Sequence, residues 1–287
     1  MKPSRRSFLK SSAGVGIGLA VSLSDLARAA APTNATRIQL IRHATCIIRY
    51  GGRVLMVDPM LGAPGIMPPI DNSPQPRRNP LVPLPAAADN VLAEIEAILV
   101  THTHPDHWDT AAIELVPKDA TVFIQPPDAA AFRQRGFTGA QAVGDSISWN
   151  GLTISRTSAQ HGRGDVGRRM APVSGYVLSS PGQPTIYVAG DTVWCPEVAD
   201  AIETHEPDII VVNAGAAQFL EGGPITMDTS DVLEVCAAAP KADVIAVHME
   251  AINHCILTRR ALRDALDKSR AKPRVRIPRD GEELQLT

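Results

Sequence analysis

Short apolar stretches alternate with helix-like segments along most of the chain. Near its start, Ile38–Ile41, Cys46–Tyr50 and Val54–Val57 are apolar enough for strands, and the Gly51-Gly52 pair between the last two predicts a hairpin. The predicted strands further along are 97–101, 121–124, 209–213 and 244–247, and the predicted helices are 87–93, 109–115, 128–135, 196–204, 228–238 and 258–268. Two sheets with helices outside them, in one α/β domain, would satisfy these elements.

Two regions depart from this alternation. Strands predominate from Ser146 to Ala189, with turns at Asn150-Gly151 and Pro181-Gly182 and a basic loop predicted around Arg163 to Arg169. Residues 59–85 contain nine prolines and almost no periodicity, which excludes a helix or a central strand. A segment of this length in a compact domain is typically a lid or a disordered loop.

The N-terminus belongs to a different class of sequence. Residues 4–10 read Ser-Arg-Arg-Ser-Phe-Leu-Lys, a small and apolar run covers 13–23, and 27–29 read Ala-Arg-Ala. This stretch resembles a twin-arginine export signal, which implies a signal peptide at 1–29, a mature domain at 30–287 and a periplasmic location. The apolar run is too short to span a bilayer, and an amphipathic N-terminal helix is the alternative.

Composition removes several classes of protein. The 287 residues are 44% hydrophobic and 20% charged, with four cysteines and a formal charge of -2. The chain is therefore too apolar for disorder and too poor in cysteine for a disulfide scaffold. Because no basic face is indicated, we expect no nucleic-acid partner, and no stable membrane span after signal removal. The oligomeric state stays open.

The densest chemical signal follows the predicted strand 97–101. His102, His104, Asp106 and His107 lie within six residues, and the period of two in a strand lets His102 and His104 project to the same side. Imidazole and carboxylate donors suit zinc and related divalent metals. His161, Asp191 and His248 each follow another predicted strand, and functional groups commonly gather at one sheet edge. Taken singly, each would be an ordinary turn residue.

In order and spacing, these residues resemble the motifs of the metallo-β-lactamase superfamily, with Asp58 as a further match. The resemblance implies a four-layer αββα sandwich and two divalent metal ions, with Zn²⁺ first and Mn²⁺ or Fe²⁺ as alternatives. It implies one metal held by His102, His104 and His161 and a second by Asp106, His107 and His248. Asp191 would bridge and space the metals, and Asp106 would hydrogen-bond the bridging water.

Differences from two branches of the superfamily narrow the choice of branch. Many antibiotic-cleaving members have cysteine where this chain has Asp191, and the oxygen-reducing di-iron branch has glutamate where it has His104. The sequence looks more like the lactonase-like and phosphodiesterase-like branch. By analogy, Asp58 would orient a ligand imidazole, with a turn or capping carboxylate as the alternative.

Two further histidines are weaker candidates. His43 could contact the substrate or protonate a leaving group, or could be a buried hydrogen-bonding residue. His254, six residues after His248, could contact the substrate or support a ligand. His205, at the end of a predicted helix, is interpreted as a surface or capping residue.

These observations predict a zinc-type metal-dependent hydrolase in which a metal-bridged hydroxide attacks an ester, lactone or phosphodiester of a small or lipid-like substrate. Two alternatives remain: a mononuclear iron dioxygenase-type enzyme of the same superfamily, and a non-catalytic metal-dependent binding protein. Residues 59–85 are expected to overhang the metal edge and shape substrate access.

Overall fold

The described part of the chain is built around two β-sheets. A computed structural model describes residues 35–269 and 274–286, and the predicted signal peptide at 1–29 lies outside them. The strands of the first sheet are β1 (Thr36–Arg42), β2 (Thr45–Tyr50), β3 (Arg53–Val57), β4 (Ala97–Val100), β5 (Val122–Ile124), β6 (Ala140–Ala142) and β14 (Glu283–Leu286). Those of the second sheet are β7 (Ser146–Trp149), β8 (Leu152–Ser158), β9 (Ser174–Ser179), β10 (Ile186–Val188), β11 (Ile209–Asn213), β12 (Asp243–Val247) and β13 (Val275–Arg276).

Both sheets are mixed. The first has the order β14-β1-β2-β3-β4-β5-β6, with β3 to β6 parallel. The second has the order β13-β12-β11-β10-β9-β8-β7, with β10 to β13 parallel. Because β9 pairs antiparallel with both β8 and β10, those two strands point the same way. The carboxyl ends of β8, β10, β11 and β12 therefore meet at one edge, the place where open α/β sheets bind ligands.

Seven helices flank the sheets in the described residues. They are α1 (Ala88–Leu92), α2 (Thr110–Leu115), α3 (Ala129–Gln134), α4 (Gly164–Met170), α5 (Pro196–His205), α6 (Thr229–Ala238) and α7 (Arg259–Lys268), with a 3₁₀ turn at Pro126–Asp128. The side chains of Asp109, Asp228 and Thr258 cap α2, α6 and α7 by accepting from backbone N–H groups of the first turn. None of these helices is long and apolar enough to cross a bilayer.

Successive side chains of a strand point to opposite faces of its sheet, so they enter three buried apolar clusters, one between the sheets and one on each outer face. In β3, Leu55 and Val57 pack between the two sheets, whereas Met56 faces outward and belongs to a cluster that contains Phe132 of α3. The outer face of the second sheet is covered by α5, α6 and α7, where Leu262 is one of the packed residues. Two sheets with helices on both outer faces confirm the predicted αββα sandwich.

The structure corrects one stretch of the sequence interpretation. The residues predicted as a basic loop after His161 instead form α4, and this helix interrupts the strands between Ser146 and Ala189. Gly164 and Gly167 within it have low helix propensity, which hides the helical pattern. The short strands β6, β13 and β14 were not predicted either, because so few residues give no clear alternation.

The proline-rich segment, residues 59–85, is fixed to the end of β1 by a buried arginine. Arg42 is fully buried, and its Nη2 donates to the carbonyl oxygens of Met60 at 2.6 Å and Gly62 at 3.0 Å. Its Nη1 donates to the carbonyl oxygen of Val82 at 3.0 Å. The two ends of the segment are thus tied to one side chain.

Asn253 holds the middle of the same segment. Its Oδ1 accepts from the backbone N–H of Ile70 at 2.9 Å and from Nδ2 of Asn79 at 2.7 Å. Its Nδ2 donates to the hydroxyl of Ser73 and the carbonyl oxygen of Gln75, both at 2.5 Å. Since Asn253 follows β12, these bonds confirm that the segment packs at the edge where that strand ends.

We expect Arg42→Met to destabilise the protein by about 3 kcal/mol or more, because three charge-assisted bonds are lost and three carbonyl groups lose their donor. Urea unfolding would measure this change, and limited proteolysis would show new cleavage between residues 59 and 85. Arg78→Met is the matched control, because exposed Arg78 also donates to two carbonyls of the segment but should change stability by less than about 1 kcal/mol. Equal effects of the two substitutions would contradict the anchoring role.

Candidate metal centre

The structure brings all seven predicted ligands to one edge of the sandwich. Four of them follow β4, and the others follow β8, β10 and β12; they are His102, His104, Asp106, His107, His161, Asp191 and His248. All are buried except His104, which is half-buried. Gly190 adopts a φ of +68° just before Asp191, and a Cβ there would lie 2.6 Å from the carbonyl oxygen of Ser174. A glycine is therefore required to turn Asp191 into the site.

His102, His104 and His161 form a first donor group. Nε2 of His102 lies 2.8 Å from Nδ1 of His104, and the His161 ring centroid lies 5.3 Å and 5.1 Å from those of the other two. Nδ1 of His161 donates to the carbonyl oxygen of Ile225 at 2.8 Å, which fixes the ring and leaves Nε2 as the free donor atom. Three imidazole nitrogens can thus converge on one ion.

Asp106, His107 and His248 form a second donor group. The Nε2 atoms of His107 and His248 are 3.2 Å apart, and Oδ2 of Asp106 lies 3.8 Å from the first and 3.7 Å from the second. Sγ of Cys255 lies 3.6 Å from Nδ1 of His248, so it contacts the back of that ligand rather than adding a donor at the centre.

Asp191 lies between the two donor groups. Its Oδ2 is 3.3 Å from Nε2 of His161 and 3.2 Å from Nε2 of His107, and its Oδ1 is 3.3 Å from Nε2 of His248. Nδ2 of Asn213 donates to the same Oδ1 at 2.6 Å. Asn213 was not a sequence candidate, although its position at the end of β11, on the same edge, could have suggested it.

The protonation pattern of these residues fits a metal ion. His107 and His161 each use Nδ1 as the donor of a hydrogen bond, to Asp58 and to Ile225 respectively, so each turns Nε2 toward the centre. Both Nε2 atoms face the carboxylate of Asp191 at 3.2 to 3.3 Å. A divalent cation among these atoms would replace the proton of His107 and bind the lone pair of neutral His161. Nitrogen and oxygen donors of this kind suit Zn²⁺, Mn²⁺ or Fe²⁺.

Burial and charge prepare the same residues for coordination. Burial lowers the pKa of His161 to about 4 and holds the pKa of His102 well below its usual value, so both rings are neutral at pH 7. Burial opposes ionisation of Asp191, but His107, His248 and His161 outweigh it and hold the pKa of this carboxyl well below its usual value. Neutral imidazoles and an ionised carboxylate are the forms that bind a metal.

Asp58 supports the site from beneath β4. Its Oδ2 accepts from Nδ1 of His107 at 2.8 Å and from the hydroxyl of Thr101 at 2.7 Å. Its Oδ1 accepts from the backbone N–H of Thr101 at 2.7 Å. Burial opposes protonation of His107, but the carboxylates of Asp191, Asp106 and Asp58 outweigh it and raise its pKa well above the usual value. The geometry therefore favours the orienting role over the alternative of a turn carboxylate.

His43 is buried and hydrogen-bonded in this structure, and a contact with the substrate stays a prediction. It has no exposed surface, and its Nε2 lies 3.2 Å from Oδ2 of Asp106. Its ring packs on that of His248 with the centroids 3.6 Å apart. Its carbonyl oxygen also accepts from the backbone N–H of His248 at 2.8 Å. His43 thus orients two members of the second donor group.

His254 lies close to the centre but is less constrained. It is 4% exposed, and its Nδ1 has no hydrogen-bond partner in the described part of the chain. Burial lowers its pKa, which the negative charge of Asp106 opposes. A contact with substrate remains a prediction for this residue. His205 ends α5, as predicted, and contributes to none of the donor groups.

Known proteins resemble this chain in sequence. Residues 53–249 match the β-lactamase superfamily domain. The chain is 38% identical over 248 residues to UPF0173 protein YddR of Bacillus subtilis (strain 168), a match that covers 85% of this chain and 98% of that protein. This chain belongs to the UPF0173 family of metal-dependent hydrolases. The family has the metallo-β-lactamase fold, which the resemblance in the sequence predicted.

Two solved structures resemble this UPF0173 protein over nearly their full length. An isothiocyanate hydrolase from Delia radicum gut bacteria is 37% identical with a TM-score of 0.82, covering 87% of this chain and 99% of its own. A possible metal-dependent hydrolase from Veillonella parvula DSM 2008 is 31% identical with a TM-score of 0.84, covering 88% and 100%.

Asp58→Asn should weaken metal binding about 10- to 100-fold, because the negative charge that makes His107 a strong donor is removed while the shape of the side chain is kept. Competition with a chelating dye would measure the affinity. Asp243→Asn is the control, because Asp243 is a buried carboxylate at the opposite end of β12 and pairs with Arg274 and Arg276. An unchanged metal affinity in Asp58→Asn would contradict the orienting role.

The metal-free protein should lose stability as the pH falls from about 6.5 toward 4. His161 stays neutral in the fold because burial lowers its pKa to about 4, whereas in the unfolded chain it takes up a proton below about 6.5. The unfolded state then binds more protons than the folded state, so the population of unfolded protein grows as the pH falls. Thermal unfolding of the metal-free protein at a series of pH values would test this, and a melting temperature constant from pH 7 to 4.5 would contradict it.

Proposed function

We propose that this UPF0173 protein is a binuclear metal-dependent hydrolase that uses water to attack an electrophilic carbon. The observation that carries the proposal is the position of Asp191, whose two oxygens lie 3.2 to 3.3 Å from donor atoms of both donor groups. His102, His104 and His161 would hold one ion, and Asp106, His107 and His248 the other. A mononuclear site would leave one group of buried donors without a partner.

When bound, the two ions would lower the pKa of water into the working range and polarise the bond under attack. The protein would supply the remaining chemistry. Asp191 would fix the spacing of the donor groups, and Asn213 restricts its rotation through the bond to Oδ1. Asp106 is held ionised, since burial opposes its charge but His107, His248 and His43 outweigh it and keep its pKa well below the usual value. It would accept a hydrogen bond from the attacking water and so orient it.

An isothiocyanate is the first substrate class to examine. The relative that is named isothiocyanate hydrolase shares 37% identity, and the match spans 99% of its chain. With an isothiocyanate, addition of one water to the central carbon and cleavage of the carbon–nitrogen bond would give a primary amine and carbonyl sulfide. Both protons of the water end on the nitrogen, and no oxidant or reductant is needed.

Esters and lactones offer a similar electrophilic carbon and remain in the substrate panel. A phosphodiester would have to rely on the metal ions alone. Arg42 is the only buried arginine or lysine in the described residues, and its Nη atoms are occupied by backbone carbonyls. A phosphoryl group would therefore find no buried cationic side chain to offset its charge.

The experiment combines metal analysis with a substrate panel of methyl isothiocyanate, a carboxyl ester, a lactone, a phosphodiester and a β-lactam. We expect two equivalents of metal, turnover that chelation removes, and a loss of activity of at least about 100-fold in Asp191→Ala and His104→Ala. His205→Ala is the control, because this histidine lies outside the donor groups and should retain the wild-type rate.

Other results would point to the alternatives. One equivalent of iron with oxygen uptake would indicate the oxidative enzyme, and tight metal without turnover of any substrate would indicate a binding protein. Wild-type rates in both Asp191→Ala and His104→Ala would overturn the proposed site.

A further inference from the structure

One ligand imidazole of the candidate metal centre has a sulfur atom behind it. Nδ1 of His248 lies 3.6 Å from Sγ of Cys255, and this is the only hydrogen bond that Nδ1 forms among the described residues. Three other ligand rings turn Nδ1 to an oxygen atom. His107, His161 and His102 face a carboxylate, a backbone carbonyl and a hydroxyl, at 2.8, 2.8 and 3.0 Å respectively. The outer partner of His248 is therefore different in kind.

The sulfur of Cys255 lies outside the set of metal donors. Nε2 of His248 faces the centre, 3.2 Å from Nε2 of His107 and 3.3 Å from Oδ1 of Asp191. Because the two ring nitrogens point in different directions, Sγ lies on the far side of the imidazole from the centre. Burial also raises the pKa of the thiol well above its usual value, so it stays protonated, whereas the thiolate is the form that binds metals. Cys255 can therefore act on the ions only through His248.

The backbone holds this sulfur against the ligand. A Cβ at Gly215 would lie 3.0 Å from Sγ of Cys255 and 2.1 Å from the carbonyl oxygen of His248, so a glycine is needed for the two segments to approach. The carbonyl oxygen of Gly215 also accepts from the backbone N–H groups of Ile256 and Leu257, both at 3.0 Å. Cys255 is 7% exposed, so water has little access to its side of the ring. The contact is thus set by the close packing of the backbone around it.

Ring packing alone does not fix the direction of Nε2 in His248. The ring of His43 packs on that of His248 with the centroids 3.6 Å apart, which restricts the plane of the imidazole. A half-turn about the Cβ–Cγ bond keeps this plane but exchanges each ring nitrogen with a carbon, and it would carry Nε2 away from His107. When Nε2 binds an ion, the ring carries its proton on Nδ1, which then needs an acceptor. Sγ of Cys255 is the acceptor in this position.

We propose that Cys255 is a positioning residue of the metal centre, whose Sγ accepts the Nδ1 proton of His248 and so directs Nε2 to the ion of the second donor group. The inference rests on the proposed function for the presence of that ion. A thiol sulfur is a weak acceptor, whereas the carboxylate of Asp58 behind His107 strengthens that ring as a donor. The second donor group thus combines one strong and one weaker imidazole ligand, and the weaker one depends on Cys255.

The test is a stepwise titration of the metal-free protein with Co²⁺, followed by visible absorption, in wild type, Cys255→Ala and Cys255→Ser. Because Cys255→Ala removes the acceptor, it should weaken binding of one Co²⁺ equivalent about 10- to 100-fold and change the absorption bands of that equivalent. Cys255→Ser should stay within about threefold of wild type, because a hydroxyl also accepts a hydrogen bond. Rescue by serine separates the loss of an acceptor from the loss of packing, and circular dichroism would verify that each variant is folded.

Cys236→Ala is the matched control. Cys236 lies on α6 against the apolar cluster at the outer face of the second sheet, so its removal should leave both binding steps unchanged. If the wild-type protein binds a single Co²⁺ equivalent, the binuclear proposal fails, whereas a loss in Cys255→Ala that serine restores would still support the role of Cys255.

Three results would overturn the positioning role. The first is an unchanged affinity and spectrum in folded Cys255→Ala, and the second is an equal loss in the alanine and serine variants. The third is an intense sulfur-to-cobalt charge-transfer band in the wild-type protein that Cys255→Ser abolishes, because it would show that Cys255 binds the metal directly.

Discussion

The buried carboxylate of Asp191 is the constraint around which the rest of the site is arranged. A carboxylate removed from water costs several kcal/mol unless partners compensate it. Here the partners are one amide, from Asn213, and imidazoles: the pKa of His107 is raised well above its usual value, whereas burial lowers those of His102 and His161. Asp106 and Asp58 add two more buried carboxylates nearby. A single imidazolium cannot offset three carboxylates, but divalent cations among them can.

The fold satisfies this constraint by ending several strands at one edge. His43, Asp58 and His248 follow β1, β3 and β12, and all three adopt a left-handed backbone, with φ of 60°, 44° and 66°. Such a conformation costs a residue with a side chain roughly 1–3 kcal/mol, and it persists only where the surroundings enforce it. The backbone bond from His248 to His43 links the two sheets between two of these left-handed residues. Strain and sheet-to-sheet contact are thus concentrated where the donors must converge.

How far the sequence predicts this protein depends on whether a feature is local. The strand β4 and the cluster from His102 to His107 are local, so both their structure and their chemistry could be predicted. The roles of His43 and Asp58 were left open because their partners, Asp106 and His107, are distant in sequence.

Asn213, Arg42 and Asn253 were not candidates at all. They are ordinary residue types in ordinary elements, and only tertiary contacts reveal what they hold. The helix α4 was missed for a different reason, since glycines at two positions weaken the helical pattern that packing later enforces.

The anchoring of the proline-rich segment affects how a substrate is selected. Lifting the segment would remove the acceptors of Arg42 and the partners of Asn253, and each buried polar group left without a partner costs about 1–3 kcal/mol. A cover held in this way acts as a fixed wall rather than a closing lid. Discrimination between substrates then has to come from the shape of the opening that the wall leaves.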